Sequence, residues 1–276
     1  MTAPSDTTGT PTPAAETPPR ARPSHRPWNG PARAIAFLTI LPVPAIPTTT
    51  TTDSEVGLTG VAVWFPVIGA AVGALAGGVR VGAEQLIGAI PATVLAMIAL
   101  VVVTGALHQD GLADTADGLG ARGGRSRRLE VMRDSSTGVF GALALIAWAL
   151  LLVSTVASLD ADRAFRALTT ACALARWAAL LHATTTHPAR TDGLGAALHP
   201  GHLALAAAST VSIAAALAIC GPGPGAAALG ATLLVVAFSA TFARRTLGGR
   251  TGDTLGATVA ISEATICLVL LALWHH

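Results

Sequence analysis

Three aspartates stand close together just after a long apolar stretch of the chain. Asp110, Asp114 and Asp117 follow an apolar run that ends near Leu107. In a helix, their spacings of four and three residues place the three carboxylates within about 60° of one another on one face. Charges of one sign at such short separation repel each other unless a cation binds between them, and Mg2+ prefers oxygen ligands. The cluster therefore predicts a magnesium site that serves phosphate chemistry, with a solvated acidic loop as the alternative.

A basic segment follows the aspartates and ends in a short polar motif. Residues 125–138 have a helical period that turns Leu129 and Met132 toward apolar surroundings and leaves the charged side chains facing polar ones. Arginine binds phosphate well because its planar guanidinium donates two hydrogen bonds at once. We therefore predict that Arg133 and Asp134, next to Ser-Ser-Thr-Gly, take part in the chemistry. The alternative is that the arginines of this segment anchor it to lipid and set the topology.

A glycine-rich segment near the C-terminus supplies further candidates. Gly248 and Gly249 would let backbone amides approach an anion closely, and Arg250 follows them. Asp253 either binds metal or caps the next helix, and the sequence favours neither role. Glu263 lies inside the last apolar stretch, where a carboxylate is costly unless it is paired or functional. We predict that these five residues help to bind the substrate.

The composition places these motifs in a membrane protein. Of the 276 residues 52% are hydrophobic and 12% are charged, and the mean hydropathy is +0.61. These values exclude an ordinary soluble domain. The net charge of +2 and the lack of a basic run interleaved with aromatic residues argue against a nucleic-acid partner. The three cysteines are isolated within apolar segments and are predicted to be core residues.

The apolar stretches predict an all-α, polytopic integral membrane bundle. Residues 1–30 are too poor in apolar residues to fold and are predicted to be disordered, which leaves residues 31–276 as one transmembrane catalytic domain. Residues 34–41 are apolar but too short to span a hydrocarbon core about 30 Å thick, so we expect an interfacial or re-entrant helix there. The fourth of seven predicted spans is the weakest because arginines interrupt it. The seven lie near residues 61–79, 86–107, 139–159, 164–183, 203–220, 225–243 and 255–274.

The distribution of arginine orients the bundle. With seven spans, the N-terminus and the loops at 108–138, 184–202 and 244–254 lie on one side of the membrane. These segments contain four, five, one and three arginines, whereas the other side has three. Arginine is enriched in cytoplasmic loops. We therefore expect a multi-pass protein of the cell inner (plasma) membrane whose loops with candidate site residues lie on the cytoplasmic face.

Several segments resemble those of the cobalamin synthase family, in order from about residue 33 to the C-terminus. The longest runs Leu-His-Gln-Asp-Gly-Leu-Ala-Asp-Thr-Ala-Asp-Gly-Leu, and Gln109 within it stands where the family usually has an apolar residue. That departure removes no carboxylate. The similar segments are 41–44, 64–66, 107–119, 132–138, 140–141 and 248–257.

The resemblance implies a Mg2+-dependent adenosylcobinamide-GDP ribazoletransferase. A ribose hydroxyl of alpha-ribazole, or of its 5'-phosphate, would attack the phosphorus attached to cobinamide, and GMP would leave. Asp110, Asp114 and Asp117 would hold one or two Mg2+ ions, while Arg133 and Arg250 would contact phosphate. The proton acceptor is left open between His108 and one of the aspartates. The sequence also leaves open a homo-oligomer.

Two other classes of protein would share some of these features. The run from Asp114 to Arg122 matches the first half of the CDP-alcohol phosphotransferase motif of lipid synthesis, but Ser135 and Val139 stand where its last two aspartates should be. A cation-coupled membrane transporter would also carry acidic residues and glycines within a helical bundle. It predicts carboxylates near the bilayer midplane, whereas these cluster at one edge.

Overall fold

The computed structural model of the protein describes residues 29–43 and 60–274. Within those ranges the chain is helical, with one isolated bridge between Pro188 and Arg250. The predicted all-α fold is therefore confirmed. Most of the tail that we predicted to be disordered, residues 1–28, lies outside the described residues, whereas Asn29 and Gly30 already belong to the first helix.

The long helices are joined by short turns at one end and by longer polar segments at the other. Single residues or short turns at Gly88, Ser158 to Asp160 and Gly221 join successive long helices, while most of the candidate site residues lie toward the opposite end. In chain order the described elements are α1 (Asn29–Leu38), a 3-10 turn (Ala62–Trp64), α2 (Phe65–Ile87), α3 (Ala89–Val103), α4 (Leu107–Gly120), α5 (Arg125–Val131), α6 (Val139–Ala157), α7 (Ala161–Thr185), α8 (Leu194–Ala197), α9 (His202–Cys220), α10 (Pro222–Leu247) and α11 (Gly252–Trp274).

Six of the described helices are long and apolar enough to cross a membrane, and a seventh crossing is made only if α3 and α4 count as one broken span. We predicted a span near residues 86–107, and the structure divides this region between helices. Its first residues belong to α2, and α3 ends at Val103, where the chain bends by 89° into α4. Gly105 and Ala106 at the bend both have positive φ, which ends a helix. The aspartates therefore lie on a separate helix that leaves the direction of α3.

Helix α7 is the central helix of the bundle, although its sequence predicted the weakest span. It packs against α2, α9, α10 and α11, and most of its residues are buried. Arg176, which seemed to interrupt the span, is enclosed by protein and forms an ion pair with Glu263 of α11. Arg166 pairs with Asp162 near the start of the helix. Charge is accepted in this span because the helix faces other helices rather than lipid.

Close packing of α2 against α7 depends on a row of glycines at every fourth position. The row consists of Gly69, Gly73 and Gly77. A Cβ atom on Gly73 would press on the carbonyl oxygen of Leu168 and lie 2.8 Å from Cys172 Cβ. Without side chains in the row, the two backbones meet directly, which small residues permit in membrane helices.

Gly73→Ala should therefore destabilise the bundle by about 1–3 kcal/mol, because backbone atoms of α7 cannot move aside for the new methyl group. Gly78→Ala is the matched control, since it lies in the same helix with open space around it and gains the same helix propensity. Thermal unfolding in detergent measures both. Equal stability of the two variants would contradict the packing described here.

Candidate active site

Helix α4 carries the three aspartates, as the spacing predicted, but they do not meet at one point. Along a helix each residue rises 1.5 Å, so Asp110 and Asp117 are about 10 Å apart along the axis even though they share a face. The two ends of the row consequently contact different neighbours. Asp110 lines a cavity, whereas Asp117 faces the start of α6.

Asp117 binds the first turn of α6. Its two carboxylate oxygens accept hydrogen bonds from the backbone N–H groups of Gly138, at 2.7 Å, and Gly141, at 2.9 Å. A Cβ atom on Gly138 would lie 2.5 Å from an Asp117 oxygen, so the glycines of this motif make room for the carboxylate. We predicted a metal ligand at Asp117, and the structure instead gives both of its oxygens to backbone amides at a helix N-terminus.

Helix α11 brings a fourth aspartate to the site. It crosses α4 where Gly111 faces Gly256, and a Cβ atom on Gly111 would lie 3.1 Å from the Gly256 Cα. Thr251 caps α11, because its hydroxyl accepts the N–H of Thr254 while Thr254 accepts the N–H of Thr251. Asp253 is therefore not the helix cap. Its side chain instead borders the same cavity as Asp110.

A cavity lies between α4, the start of α11 and the segment before α8, and it has about 640 Å3 of space between atoms, part of which is open to solvent. We call it the acidic cavity, and its polar lining includes Asp110, Asp253, Arg190 and Asp192. Asp114 adjoins it. Burial, and then the charges of Asp110, Asp253 and Asp117, raise the pKa of Asp114 to about 7, while Arg190 opposes them. The carboxylates thus repel one another more than the single neighbouring arginine compensates.

The acidic cavity has the donor chemistry of a site for a hard cation. Within the described residues, none of Asp110, Asp114 and Asp253 forms a salt bridge. Carboxylate oxygens are the ligands that Mg2+ prefers, and a divalent cation neutralises the repulsion between them. In the described part of the chain, however, no three acidic, histidine or cysteine side chains converge closely enough to hold an ion. The residues fit Mg2+ by charge and ligand type, but their spacing in this structure does not form a closed coordination site.

Arg190 lines the acidic cavity, and Arg133 lies next to one of its lining residues. Arg133, as predicted, lies on this side, where it is exposed and pairs with Asp192 at 2.8 Å. Arg190 donates to the backbone carbonyl of Leu129 at 2.7 Å and lies near Asp114 and Asp253. We had not predicted Arg190 or Asp192 as site residues. The sequence feature that could have identified them is their position in a loop on the arginine-rich side, in a short run of charged residues next to a glycine.

Arg250 and the glycines before it have structural contacts that we had not expected. The buried Arg250 guanidinium donates to the backbone carbonyls of Thr186, Gly195, at 2.8 Å, and Leu198, at 3.0 Å. Its donors therefore hold the segment from Thr186 to Leu198 against the start of α11. The predicted contact with phosphate is not supported by this geometry.

Gly248 and Gly249 complete the end of α10. Gly248 adopts a left-handed conformation there, with φ of 70°, and the N–H of Gly249 donates to the Ala243 carbonyl at 3.1 Å. This is a helix C-cap. The N–H of Gly249 is therefore used in the helix C-cap, whereas we predicted that it would approach an anion.

Three other predicted site residues lie outside the acidic cavity. Asp134 is exposed and accepts hydrogen bonds from the backbone and hydroxyl of Ser136, which lower its pKa. His108 is buried on another side of α4 from Asp110, because two residues along a helix correspond to a rotation of about 200°. Glu263 is buried in the ion pair with Arg176. None of these three lines the acidic cavity.

Comparison with known proteins identifies the family. A family model described as cobalamin-5-phosphate synthase matches residues 30–271. An adenosylcobinamide-GDP ribazoletransferase of Azorhizobium caulinodans is 38% identical over 250 residues, which cover 86% of this chain and 93% of the relative. Proteins of the same name are 38% identical in Roseiflexus sp., over 89% of this chain and 91% of the relative, and 37% identical in Escherichia coli K12, over 86% and 97%.

No solved structure matches the chain. The matches nevertheless extend across α1, the acidic cavity and most of α11, with each relative covered over more than nine tenths of its length. The chain therefore belongs to the cobalamin-5-phosphate synthase family.

Proposed function

We propose that this membrane enzyme joins adenosylcobinamide-GDP to alpha-ribazole, or to alpha-ribazole 5'-phosphate, with release of GMP. Family membership supports the reaction, and the acidic cavity is the observation that supports its place in the molecule. Transfer at a pyrophosphate requires neutralisation of charge on the phosphoryl and leaving oxygens. Three carboxylates without salt bridges and two arginines at one cavity have the composition of such a site.

In this proposal Asp110, Asp114 and Asp253 hold Mg2+. Asp253 thus takes the role of metal ligand that we predicted for Asp117. The bound ion would supply charge neutralisation at the phosphoryl group. Arg190 is close enough to the carboxylates to reach a phosphate held beside them, and Arg133 lies at the exposed rim. Asp117 positions α4 against α6 through its two amide contacts.

The chemical step forms one bond and breaks another at the same phosphorus. The ribose hydroxyl oxygen bonds to the phosphorus attached to cobinamide, and the bond from that phosphorus to the GMP oxygen breaks. The hydroxyl proton passes to a carboxylate of the acidic cavity. His108 is a poor proton acceptor for this hydroxyl because it is buried away from the acidic cavity.

We further propose that the acidic cavity opens to the cytoplasm at the inner membrane. The loops that border it are those that carry most of the arginines, and arginine is enriched on the cytoplasmic side. Nucleotide and Mg2+ would then reach the site from the compartment in which both are made and held.

The proposed cation site is tested by Asp114→Asn. The purified variant in detergent or liposomes should lose Mg2+-dependent GMP release from adenosylcobinamide-GDP and alpha-ribazole phosphate by about 100-fold or more. Its thermal stability should stay equal to that of the wild type or rise, because one of the repelling charges is gone. Asp162→Asn, at the opposite end of the bundle, is the matched control and should keep full activity.

Turnover at the wild-type rate in Asp114→Asn would remove Asp114 from the mechanism. A wild-type protein that releases no GMP but transfers the phosphoalcohol group of a CDP-alcohol, with release of CMP, would instead overturn the proposed reaction.

Arg190 and Arg250 both line the acidic cavity, but their substitution should have different effects. Arg190→Gln should lower turnover by about 100-fold, as expected for loss of a charge that faces the phosphoryl group, with little change in the unfolding temperature. Arg250→Gln should lower the free energy of unfolding by about 3 kcal/mol or more, because buried carbonyls lose their donors. Paired measurements of unfolding and GMP release distinguish them. A stable Arg250→Gln protein would contradict the structural role.

The orientation is tested by cysteine labelling, which the chain suits because Cys172, Cys220 and Cys267 are all buried. Ser135→Cys and Ser158→Cys place exposed thiols at opposite ends of the bundle. A membrane-impermeant maleimide should label Ser135→Cys only in inside-out vesicles and Ser158→Cys only in right-side-out vesicles. The reverse pattern would place the acidic cavity outside the cytoplasm.

A further inference from the structure

A second cavity lies next to the acidic cavity and differs from it in character. It has about 470 Å3 of space between atoms, part of which opens outward, and its walls are mainly apolar, with Phe37, Phe65 and Val259 among them. We call it the apolar chamber. It shares Leu107 and Gly252 with the acidic cavity, so the two spaces are adjacent at the crossing of α4 and α11.

Two polar side chains line the apolar chamber, and both are almost completely buried. His108 is 3% exposed and Arg176 is 1% exposed. His108 Nδ1 and the Arg176 atoms Nε and Nη2 have no hydrogen-bond partner among the described residues. A buried polar group without a partner costs about 1–3 kcal/mol, and folded proteins rarely leave one so. These groups therefore indicate a ligand that brings a hydrogen-bond acceptor into otherwise apolar surroundings.

Glu263 holds Arg176 in place at the wall of the apolar chamber. One terminal nitrogen of Arg176 pairs with the Glu263 carboxylate and also donates to the Cys172 carbonyl at 3.3 Å. The ion pair balances the buried charge and leaves the other N–H groups of the guanidinium without partners. Glu263, which we had predicted to bind substrate, is in this arrangement a positioning residue that acts through Arg176.

We propose that the apolar chamber binds the aromatic base of the acceptor nucleoside, an inference that rests on the proposed function. The base of alpha-ribazole is a benzimidazole, which is flat, bicyclic and mostly carbon, with one unsubstituted ring nitrogen that accepts a hydrogen bond. Phe37 and Phe65, whose ring centroids are 5.5 Å apart, give the chamber an aromatic wall. Arg176 donates to the ring nitrogen.

The lining discriminates between the two bases of the reaction. Guanine carries several donors and acceptors, and in the apolar chamber most of them would lose their water without finding a partner. A benzimidazole has one acceptor to satisfy. Because the two cavities share Leu107 and Gly252, a base in the chamber leaves the attached ribose at the border of the acidic cavity.

Ala179→Leu tests the proposal because Ala179 lines the chamber and a larger side chain fills part of it. The KM for alpha-ribazole should rise by about tenfold or more, while the KM for adenosylcobinamide-GDP should stay unchanged. The Kd of alpha-ribazole, measured by benzimidazole fluorescence without donor or Mg2+, should rise in parallel. Ala206→Leu, on an exposed position of α9, is the matched control and should change neither constant.

Val259→Ala makes the opposite change and guards against loss of fold in the first variant. The enlarged chamber should raise the kcat/KM for a ribonucleoside with a larger base, such as naphthimidazole, relative to that for alpha-ribazole. Wild-type KM and Kd for alpha-ribazole in Ala179→Leu would overturn the proposal and leave the chamber to lipid acyl chains. Absence of GMP release from the wild type would overturn the proposed function instead.

Discussion

The contact between Gly111 of α4 and Gly256 of α11 is the constraint on which both cavities depend. Backbone meets backbone there, and a Cβ atom on Gly111 would lie 2.7 Å from the Asp253 carbonyl oxygen. At this separation the residues next to the contact are forced to opposite sides of the crossing. Asp110 and Asp253 lie toward the acidic cavity, whereas His108 and Leu255 lie toward the apolar chamber. A side chain at the crossing would separate the helices and open both spaces together.

Charge within the bundle is tolerated because each buried group is compensated by a different means. Arg176 and Glu263 compensate each other across α7 and α11, and backbone carbonyls surround Arg250. A buried ion pair of this kind adds little net stability, since desolvation offsets the attraction, but loss of one partner is costly. The acidic cavity is the exception. Asp110, Asp114 and Asp253 form no salt bridge within the described residues, and Arg190 only partly offsets their repulsion, as expected for the proposed cation site.

The sequence was most informative where one physical rule decides the outcome. Hydropathy located the long helices. The alternation of spans grouped the arginine-rich loops on one side, and the structure brings these loops to one end of the bundle. Helical spacing placed Asp110 and Asp114 correctly on one face, but it says nothing about what lies opposite. Asp117 was therefore assigned to metal, although amides of α6 occupy its oxygens.

The sequence alone could not show contacts with residues that are distant in the chain. Arg250 resembled a phosphate ligand, yet its acceptors lie more than fifty residues away, in a segment without a distinctive pattern. Arg190 and Asp192 were missed for the same reason. The role of Asp253 was easier to predict. Thr251 and Thr254 have the spacing of reciprocal helix caps, so the helix does not need the aspartate as its cap.

An enzyme with these substrates needs a polar site for the phosphates and an apolar site for the base, and the two adjacent cavities provide one of each. In the proposed reaction, transfer of the phosphoryl group to a hydroxyl needs carboxylates and a bound cation. Hydrocarbon would exclude both, so the acidic cavity lies where the helices end. A flat base gains about 25 cal/mol for each Å2 of apolar surface that it buries, and that gain is available only away from water. Binding energy from the base can then fix the ribose hydroxyl beside the phosphorus, which raises the rate without further charge at the site. The glycine crossing joins the two environments because it leaves no side chain between them.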